Sequence, residues 1–256
     1  MENKKIVLLA GIGTSSNIIF HALTQKFNIE AVIIEAKENR KIFLKRRIKK
    51  LGFFTVTGQV LFQLIVVPVL NFLYKKKIKQ NIKDRELDDS NIPAEKILAV
   101  TSINDAKVAL LLKSIQPDAI VVNGTRIISK KILASVSCPV INTHTGITPM
   151  YRGVHGGYWA MVNKDPDHCG VTIHLVDAGI DTGDVLYQSS ISVSDADSFS
   201  TYPIKQIAAG IPLLLKAVDD ALKNQLKPYI PTGKSQLWYH PTIIQYLYNL
   251  IFYKVK

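Results

Sequence analysis

The sequence predicts an α/β fold with a doubly wound, mostly parallel Rossmann-like sheet and antiparallel additions. Short continuous apolar runs, typical of buried parallel strands, alternate with segments whose apolar residues recur at helical spacing. The first run ends in a glycine-containing turn that leads directly into a helical pattern. A hydrophobic content of 47% over 256 residues can build a core, which excludes a wholly disordered chain.

Turn residues bound each apolar run, and the strands follow in order along the chain. They are predicted over 4–10, 30–35, 97–100, 118–123, 139–142, 170–176 and 184–193. Helices are predicted after residue 17, over 104–114, over 130–136 and over 200–226, the last with Ser198 or Ser200 as its cap. Residues 143–157 are predicted to form a polar loop. His174 alternates within its strand and is expected to face a neighbouring strand.

One large domain is predicted over residues 1–227, with a short tail over 228–256 that packs back onto it. Prolines and aromatic residues concentrate in this tail, where Trp238 and Tyr239 either pack against the domain or stack on a ligand. A basic and apolar helical insertion at about 37–83 interrupts the large domain.

The net charge of +12 comes from 32 Lys and Arg against 20 Asp and Glu, and basic residues crowd into the insertion. Such an excess suits a phosphorylated substrate, an anionic membrane surface or nucleic acid. Between two basic clusters lies an uncharged apolar stretch at 51–74. Three interpretations of it stay open: a membrane-spanning helix, a helix lying on an anionic membrane face, and a buried or dimer-packing helix.

The compartment and the metal chemistry follow from a few residues. Two cysteines cannot form a disulfide framework, and no secretory signal pattern is present, so we expect a cytoplasmic protein. It would be peripheral at the inner membrane face if 51–74 binds lipid.

His168 and Cys169 have no second pair at metal-ligand spacing, so we expect no metal.

A glycine-containing loop follows the first strand. Gly11, Gly13, Thr14 and Ser15 place backbone N–H groups and hydroxyls at a helix N-terminus, which favours an anion such as a substrate phosphate. The third glycine of the dinucleotide-binding pattern is missing, and only Glu35 could serve as its acidic residue. The alternative is a glycine turn needed only for close packing of strand and helix.

A second constellation lies just past the carboxyl end of a strand. Asn142, His144 and the more distant Asp181 supply an amide donor, an imidazole and a carboxylate that can orient it. This set suits acyl transfer to an amine, because two donors can stabilise an oxyanion while the amine itself attacks. Arg152 and His155 follow in the loop and could reach a substrate. The alternative is a pair of side chains that caps a loop.

The segments 142–144, 149–153 and 170–183 together resemble the formyltransferases that use 10-formyltetrahydrofolate. The resemblance covers about 5–221 apart from the insertion, and it is nearest in kind to enzymes that act on nucleotide-linked amino sugars. It implies that Asn142, His144 and Asp181 are catalytic. It further implies a folate pocket formed by six residues: Arg126, Ile127, Ile128, Val176, Asp177 and Gly179.

Two departures from the family pattern bear on the expected function. Gly146 and Thr148 replace apolar loop residues and are expected to loosen the loop. Methionyl-tRNA formyltransferases carry a C-terminal OB-like domain that 228–256 is too short to form, which argues against nucleic acid as a partner.

The expected activity is N-formylation of a nucleotide-linked amino sugar for surface polysaccharide synthesis. The expected co-substrate is 10-formyltetrahydrofolate, the expected partner is a small-molecule amine, and the chain could form a homodimer. A glycinamide ribonucleotide formyltransferase is one alternative. A membrane-associated binding protein that has the fold without turnover is the other.

Overall fold

The computed structural model describes residues 4–256, so residues 1–3 of the predicted large domain lie outside the described part. The strands are β1 (Ile6–Gly11), β2 (Ile29–Glu35), β3 (Ile97–Val100), β4 (Ala119–Asn123), β5 (Val140–His144), β6 (Arg152–Gly153), β7 (Gly170–Leu175), β8 (Val185–Ser190) and β9 (Leu237–Trp238). The helices are α1 (Thr14–Thr24), α2 (Arg40–Leu51), α3 (Phe53–Leu61), α4 (Val67–Leu73), α5 (Lys75–Asp84), α6 (Ala106–Ile115), α7 (Lys130–Leu133), α8 (Gly156–Val162), α9 (Tyr202–Leu222) and α10 (Ile243–Phe252).

Seven of the strands form one sheet in the order β3-β2-β1-β4-β5-β7-β8. Strands β1 to β5 pair in parallel, whereas β7 and β8 are antiparallel additions at one edge. Continuous apolar runs suit the central strands because both faces of the sheet are covered by helices. The predicted fold class is therefore confirmed.

Helices cover the two faces of the sheet with separate apolar cores. On one face, α1 and α9 pack against the strands through side chains such as Ile18 and Leu214. On the other face, α6 contributes Val108 and Leu112. This arrangement leaves the carboxyl ends of β1, β4 and β5 at one open edge, where ligand sites form in doubly wound sheets.

The insertion forms four helices, α2 to α5, and α3 and α4 are joined by a π-helical turn at Phe62–Val66 into one stretch. That turn precedes Pro68, whose missing N–H removes a helical hydrogen bond. The stretch Phe53–Leu73 is long and apolar enough to cross a membrane, with a mean hydropathy of 1.9. Its inner side is packed, since Phe62 is fully buried against Phe199.

The tail 228–256 packs against several parts of the large domain. Strand β9 pairs in parallel with β6. The side chain of Asn249 donates a hydrogen bond to the hydroxyl of Tyr158, and the backbone N–H of Phe199 donates one to the carbonyl of Lys256. On these contacts we propose that 228–256 forms an appendage of the large domain.

Two local predictions were wrong, and one helix was not predicted. The expected loop 143–157 contains β6 and the start of α8, and the tail contains the additional helix α10. The long helix begins at Tyr202 with Thr201 as its N-cap, and neither Ser198 nor Ser200 caps it. The hydroxyl of Thr201 instead accepts a hydrogen bond from the N–H of Ser198, and Pro203 favours a helix start at this point.

Candidate active site

A cavity of about 600 Å³ lies at the carboxyl ends of β4 and β5. It brings together Asn142 and His144 from β5 with Asp181 from the turn between β7 and β8. All three line its wall, as the sequence predicted, because the strand ends and the following turn meet at the same edge of the sheet.

The imidazole of His144 has both ring nitrogens facing acceptors. Its Nε2 lies 2.7 Å from the backbone carbonyl of Tyr151, and its Nδ1 lies 3.5 Å from Oδ2 of Asp181. A carbonyl only accepts, so Nε2 carries a proton and donates it. Nδ1 is therefore the nitrogen that can exchange a proton at the site, and a proton there forms an ion pair with Asp181.

The loop after β5 is held tightly, which corrects the expectation that Gly146 and Thr148 loosen it. A Cβ on Gly146 would lie 2.3 Å from the Tyr151 carbonyl oxygen and 2.6 Å from Nε2 of His144. Thr148 donates its N–H to the hydroxyl of Thr172, and that hydroxyl donates to the carbonyl of Gly146. The small residue at 146 lets the Tyr151 carbonyl reach His144.

His174 faces the neighbouring strand β5, as the sequence predicted, and it also lines the cavity. The antiparallel register places His174 of β7 directly opposite Asn142 of β5. The amide nitrogen of Asn142 lies 3.0 Å from Nε2 of His174, whose Nδ1 lies 2.8 Å from the carbonyl of Leu175. Nδ1 must donate to that carbonyl, so Nε2 of the neutral ring accepts from Asn142 and fixes the orientation of its amide.

The carboxylate of Asp181 is nearly buried, with 14% of its side chain exposed. Burial by itself raises the pKa of Asp181, but positive charge on His144 and the hydrogen bond from the N–H of Gly153 hold that pKa well below its ordinary value. The Gly153 N–H lies 2.9 Å from Oδ2. Asp181 is in the left-handed region, with a φ of 49°, which aspartate tolerates better than most residues.

Gly153 is itself required by the close approach of the tail. Its φ is 97°, and a Cβ there would lie 2.3 Å from the carbonyl oxygen of Trp238. Glycine at this position lets β6 pair with β9 while its N–H reaches Asp181.

Six residues predicted to hold the folate all line the cavity: Arg126, Ile127, Ile128, Val176, Asp177 and Gly179. Buried Glu35 anchors this wall, accepting the backbone N–H of Arg126 and lying 3.6 Å from its Nε. Because the Glu35 carboxylate is occupied by these internal contacts, it does not act as the acidic residue of a dinucleotide site. The side chain of Ile127 is 54% exposed, whereas Ile128 is buried in the core.

The glycine-containing loop reaches the cavity through one of its four predicted residues. Ser15 lines the cavity, and its hydroxyl accepts a hydrogen bond from the side chain of Asn123. Gly11 has a packing role, because a Cβ there would lie 2.3 Å from the carbonyl oxygen of Gly124. Gly13 and Thr14 are exposed outside the cavity wall at the start of α1.

Arg152 and His155 are not among the residues that line the cavity. Arg152 donates from Nη1 to the carbonyl of Ile180, which secures the turn that carries Asp181. Nε2 of His155 lies 2.7 Å from Nδ1 of His240, and burial together with that second histidine lowers the pKa of His155. The structure therefore gives both residues positions away from the predicted substrate site.

The insertion and the tail both contribute residues to the cavity, among them Arg47 and Tyr239. Sequence reasoning did not identify Arg47, and it left packing or stacking on a ligand open for Tyr239. Arg47 of α2 and Tyr239 after β9 line the cavity, with the guanidinium carbon 5.5 Å from the centre of the tyrosine ring. Nη2 of Arg47 donates to Oε1 of Gln59 at 3.0 Å. No local pattern could reveal this pairing of residues far apart in the chain. Within residues 4–256, no group of three or more His, Cys, Asp or Glu side chains is placed to hold a metal ion.

The fold resembles solved formyltransferases at low sequence identity. A sugar N-formyltransferase from Shewanella sp FDAARGOS_354 superposes with a TM-score of 0.60 at 13% identity, covering 92% of this chain and 76% of that one. A phosphoribosylglycinamide formyltransferase from Anaplasma phagocytophilum gives a TM-score of 0.57 at 17% identity, covering 93% and 97%. At these identities the likeness shows the fold alone.

Sequence similarity is strongest over part of the chain. A methionyl-tRNA formyltransferase from Thermodesulfovibrio yellowstonii is 36% identical over 124 residues. That alignment covers 48% of this chain and 40% of the relative, so it spans less than half of either protein. The family profile described as formyl transferase matches residues 64–218, which is more than half of the sequence. The chain therefore belongs to the formyl transferase family.

Proposed function

We propose that the chain transfers a formyl group from 10-formyltetrahydrofolate to a primary amine. The observation that carries this proposal is the convergence of Asn142, His144 and Asp181 on one cavity beside the six predicted folate residues. An amide donor and an imidazole next to a carboxylate are the groups that acyl transfer to an amine needs. The exposed side chain of Ile127 and the backbone of the 176–179 turn would hold the folate.

The mechanism follows from the hydrogen bonds. The amine attacks the formyl carbon, and the free N–H of the Asn142 amide stabilises the oxyanion that develops. His144 adds to this stabilisation through the positive charge that it gains when Nδ1 takes up the proton of the amine. Because Nε2 is committed to the Tyr151 carbonyl, the proton leaving the amine passes to Nδ1 or through water beside it. Asp181 stabilises the resulting imidazolium, and the proton then passes toward the folate nitrogen as the tetrahedral species collapses.

For the amine, we propose an amino sugar linked to a nucleotide diphosphate, acting in surface polysaccharide synthesis. Ser15 borders the cavity beside the N-terminus of α1, which suits a phosphate. Arg47 adds a second positive group, and Tyr239 offers an aromatic face for a base or a sugar. Both groups come from the insertion and the tail, which makes them the source of substrate selectivity.

Two other amines remain candidates within the same reaction. The similarity to a methionyl-tRNA formyltransferase favours methionyl-tRNA. The N-terminus of α1 near Ser15 would also suit the phosphate of glycinamide ribonucleotide. We further propose a cytoplasmic location, which agrees with the free thiols of Cys138 and Cys169.

A panel assay separates these proposals. The purified chain is mixed with 10-formyltetrahydrofolate and, in turn, amino-sugar nucleotides, glycinamide ribonucleotide and methionyl-tRNA, and folate turnover is followed by absorbance. We expect the highest kcat/KM with an amino-sugar nucleotide. A higher value with either other amine would replace the proposed substrate. Folate binding without turnover of any amine would indicate a binding protein.

A further inference from the structure

The helical stretch Phe53–Leu73 presents an apolar face to solvent. Phe54 is 88% exposed and Phe72 is 79% exposed, although outward positions of a soluble helix are normally polar. We call this surface the apolar face; it consists of Phe53, Phe54, Leu61, Leu64, Ile65, Val69, Phe72 and Leu73. A 21-residue helix is about 30 Å long, so the face is large for a monomer surface.

The neighbouring helix α10 adds further exposed apolar side chains. It packs against α3, where Gly58 lies close to Thr242, and against the π turn, where the rings of Phe62 and Tyr246 are 5.2 Å apart. Most of its exposed residues are also apolar: Ile244, Leu247, Tyr248, Ile251 and Phe252.

Basic residues flank the apolar face at both ends. Helix α2 ends immediately before it and α5 begins immediately after it, and both expose lysines. Residues 39–83 contain twelve Lys and Arg and no Asp or Glu, so the rest of the chain has twenty of each sign. The net charge of +12 therefore comes entirely from the segment that carries the apolar face.

The inner side of the same stretch is fastened to the domain. Phe62 and Leu70 are buried, and the side chain of Gln59 donates to the carbonyl of His240 while accepting from Arg47. A helix that buries one side along its whole length in its own domain lies parallel to the protein surface. This geometry suits contact with a surface and does not suit a helix that crosses a bilayer.

We propose that the apolar face and its basic flanks dock the protein on an anionic lipid bilayer. Apolar side chains enter the boundary between headgroups and acyl chains while the lysines contact lipid phosphates. A second copy of the chain is a poorer occupant, because a two-fold interface sets identical patches against each other. Such an interface would bring together two basic segments with twelve positive charges each, and these like charges would repel.

The test is flotation of the full chain with vesicles of phosphatidylglycerol and phosphatidylethanolamine, and with vesicles of phosphatidylcholine. We expect binding to the anionic vesicles that weakens as salt is raised, and much weaker binding to the neutral ones. Absence of binding to the anionic vesicles at low salt would overturn the proposal.

Matched variants locate the contact. Phe54→Ser with Phe72→Ser should weaken anionic-vesicle binding by about tenfold or more, because both side chains lose apolar burial in the lipid. The control pair Leu110→Ser with Ile230→Ser changes side chains that are 67% and 81% exposed elsewhere, and should bind as wild type. Equal binding by the two pairs would contradict the proposed face.

Charge variants test the flanks independently. Lys76→Gln with Lys77→Gln should weaken binding by about fivefold for each lysine. The control is Lys113→Gln with Lys131→Gln, which changes one exposed lysine on α6 and one on α7. Equal loss in both pairs would point to net charge alone and contradict the role of the flanks.

Two further readouts separate this proposal from its rivals. Sedimentation in the absence of lipid shows whether a second copy covers the face: a dimer that the Phe54 and Phe72 changes dissociate, with no vesicle binding, would overturn the proposal. Far-UV circular dichroism verifies folding of each variant. Turnover of a soluble amine should be unchanged in all four variants, so loss of membrane binding and failure of the proposed activity are measured separately.

Discussion

Replacing Gly146 with alanine tests how the site orients its histidine. The new Cβ would lie 2.3 Å from the Tyr151 carbonyl oxygen, whereas ordinary contact begins at 3.4 Å, so that carbonyl must retreat by about 1 Å. The carbonyl holds Nε2 of His144, and a misplacement of about 1 Å in a reacting geometry lowers the rate by about 100-fold. We therefore expect kcat for formyl transfer to fall by about 100-fold in Gly146→Ala.

The control is Gly13→Ala, which should keep kcat near wild type at saturating substrates. A Cβ at Gly13 would have no neighbour within 4 Å, and its φ of 162° is ordinary extended backbone. Near-UV circular dichroism and thermal unfolding establish that both variants are folded. A folded Gly146→Ala variant with wild-type kcat would refute the role given to the Tyr151 carbonyl.

Three further predictions concern stability, each measured by urea unfolding. Because its pKa is lowered in the fold, Asp181 stabilises the protein above about pH 4, and this stabilisation is lost as the pH falls further. In Asp181→Asn the free energy of unfolding should therefore fall less at acid pH than in wild type. Identical pH profiles of the two proteins would contradict this. In Glu35→Gln the amide nitrogen replaces a carboxylate oxygen, so the backbone N–H of Ile103 or of Arg126 loses its acceptor. The free energy of unfolding should fall by about 1–3 kcal/mol, and an unchanged value would contradict this role of Glu35. Phe62→Ala should cost about 3–5 kcal/mol through the cavity left behind, and a loss below about 1 kcal/mol would mean that the insertion is not packed as described.

Much of the sheet could be predicted because its strands are specified locally. The run before Gly11 is apolar without interruption, and it forms β1 over Ile6–Gly11 where 4–10 was predicted. The catalytic candidates were also accessible, because Asn142 and His144 follow a strand and Asp181 lies in a turn-rich segment. Residue types and spacing are sufficient where the relevant neighbours lie within a few residues or at one sheet edge.

The remaining parts of the site depend on contacts between distant segments. His174 meets Asn142 only because β5 and β7 pair antiparallel in one register, and the sequence does not specify that register. Arg47 and Tyr239 reach the cavity through packing of the insertion against the tail. The role of Gly146 becomes visible only when the positions of the Tyr151 carbonyl and the imidazole are known.

The central claim is that Asn142 and His144 stabilise the oxyanion of formyl transfer to an amine. Its most direct test is kcat of Asn142→Ala and His144→Ala, with 10-formyltetrahydrofolate and the best amine from the panel, in protein verified as folded. Loss of one oxyanion donor should lower kcat by about 100-fold or more in each variant. Near wild-type kcat in both folded variants would contradict the account.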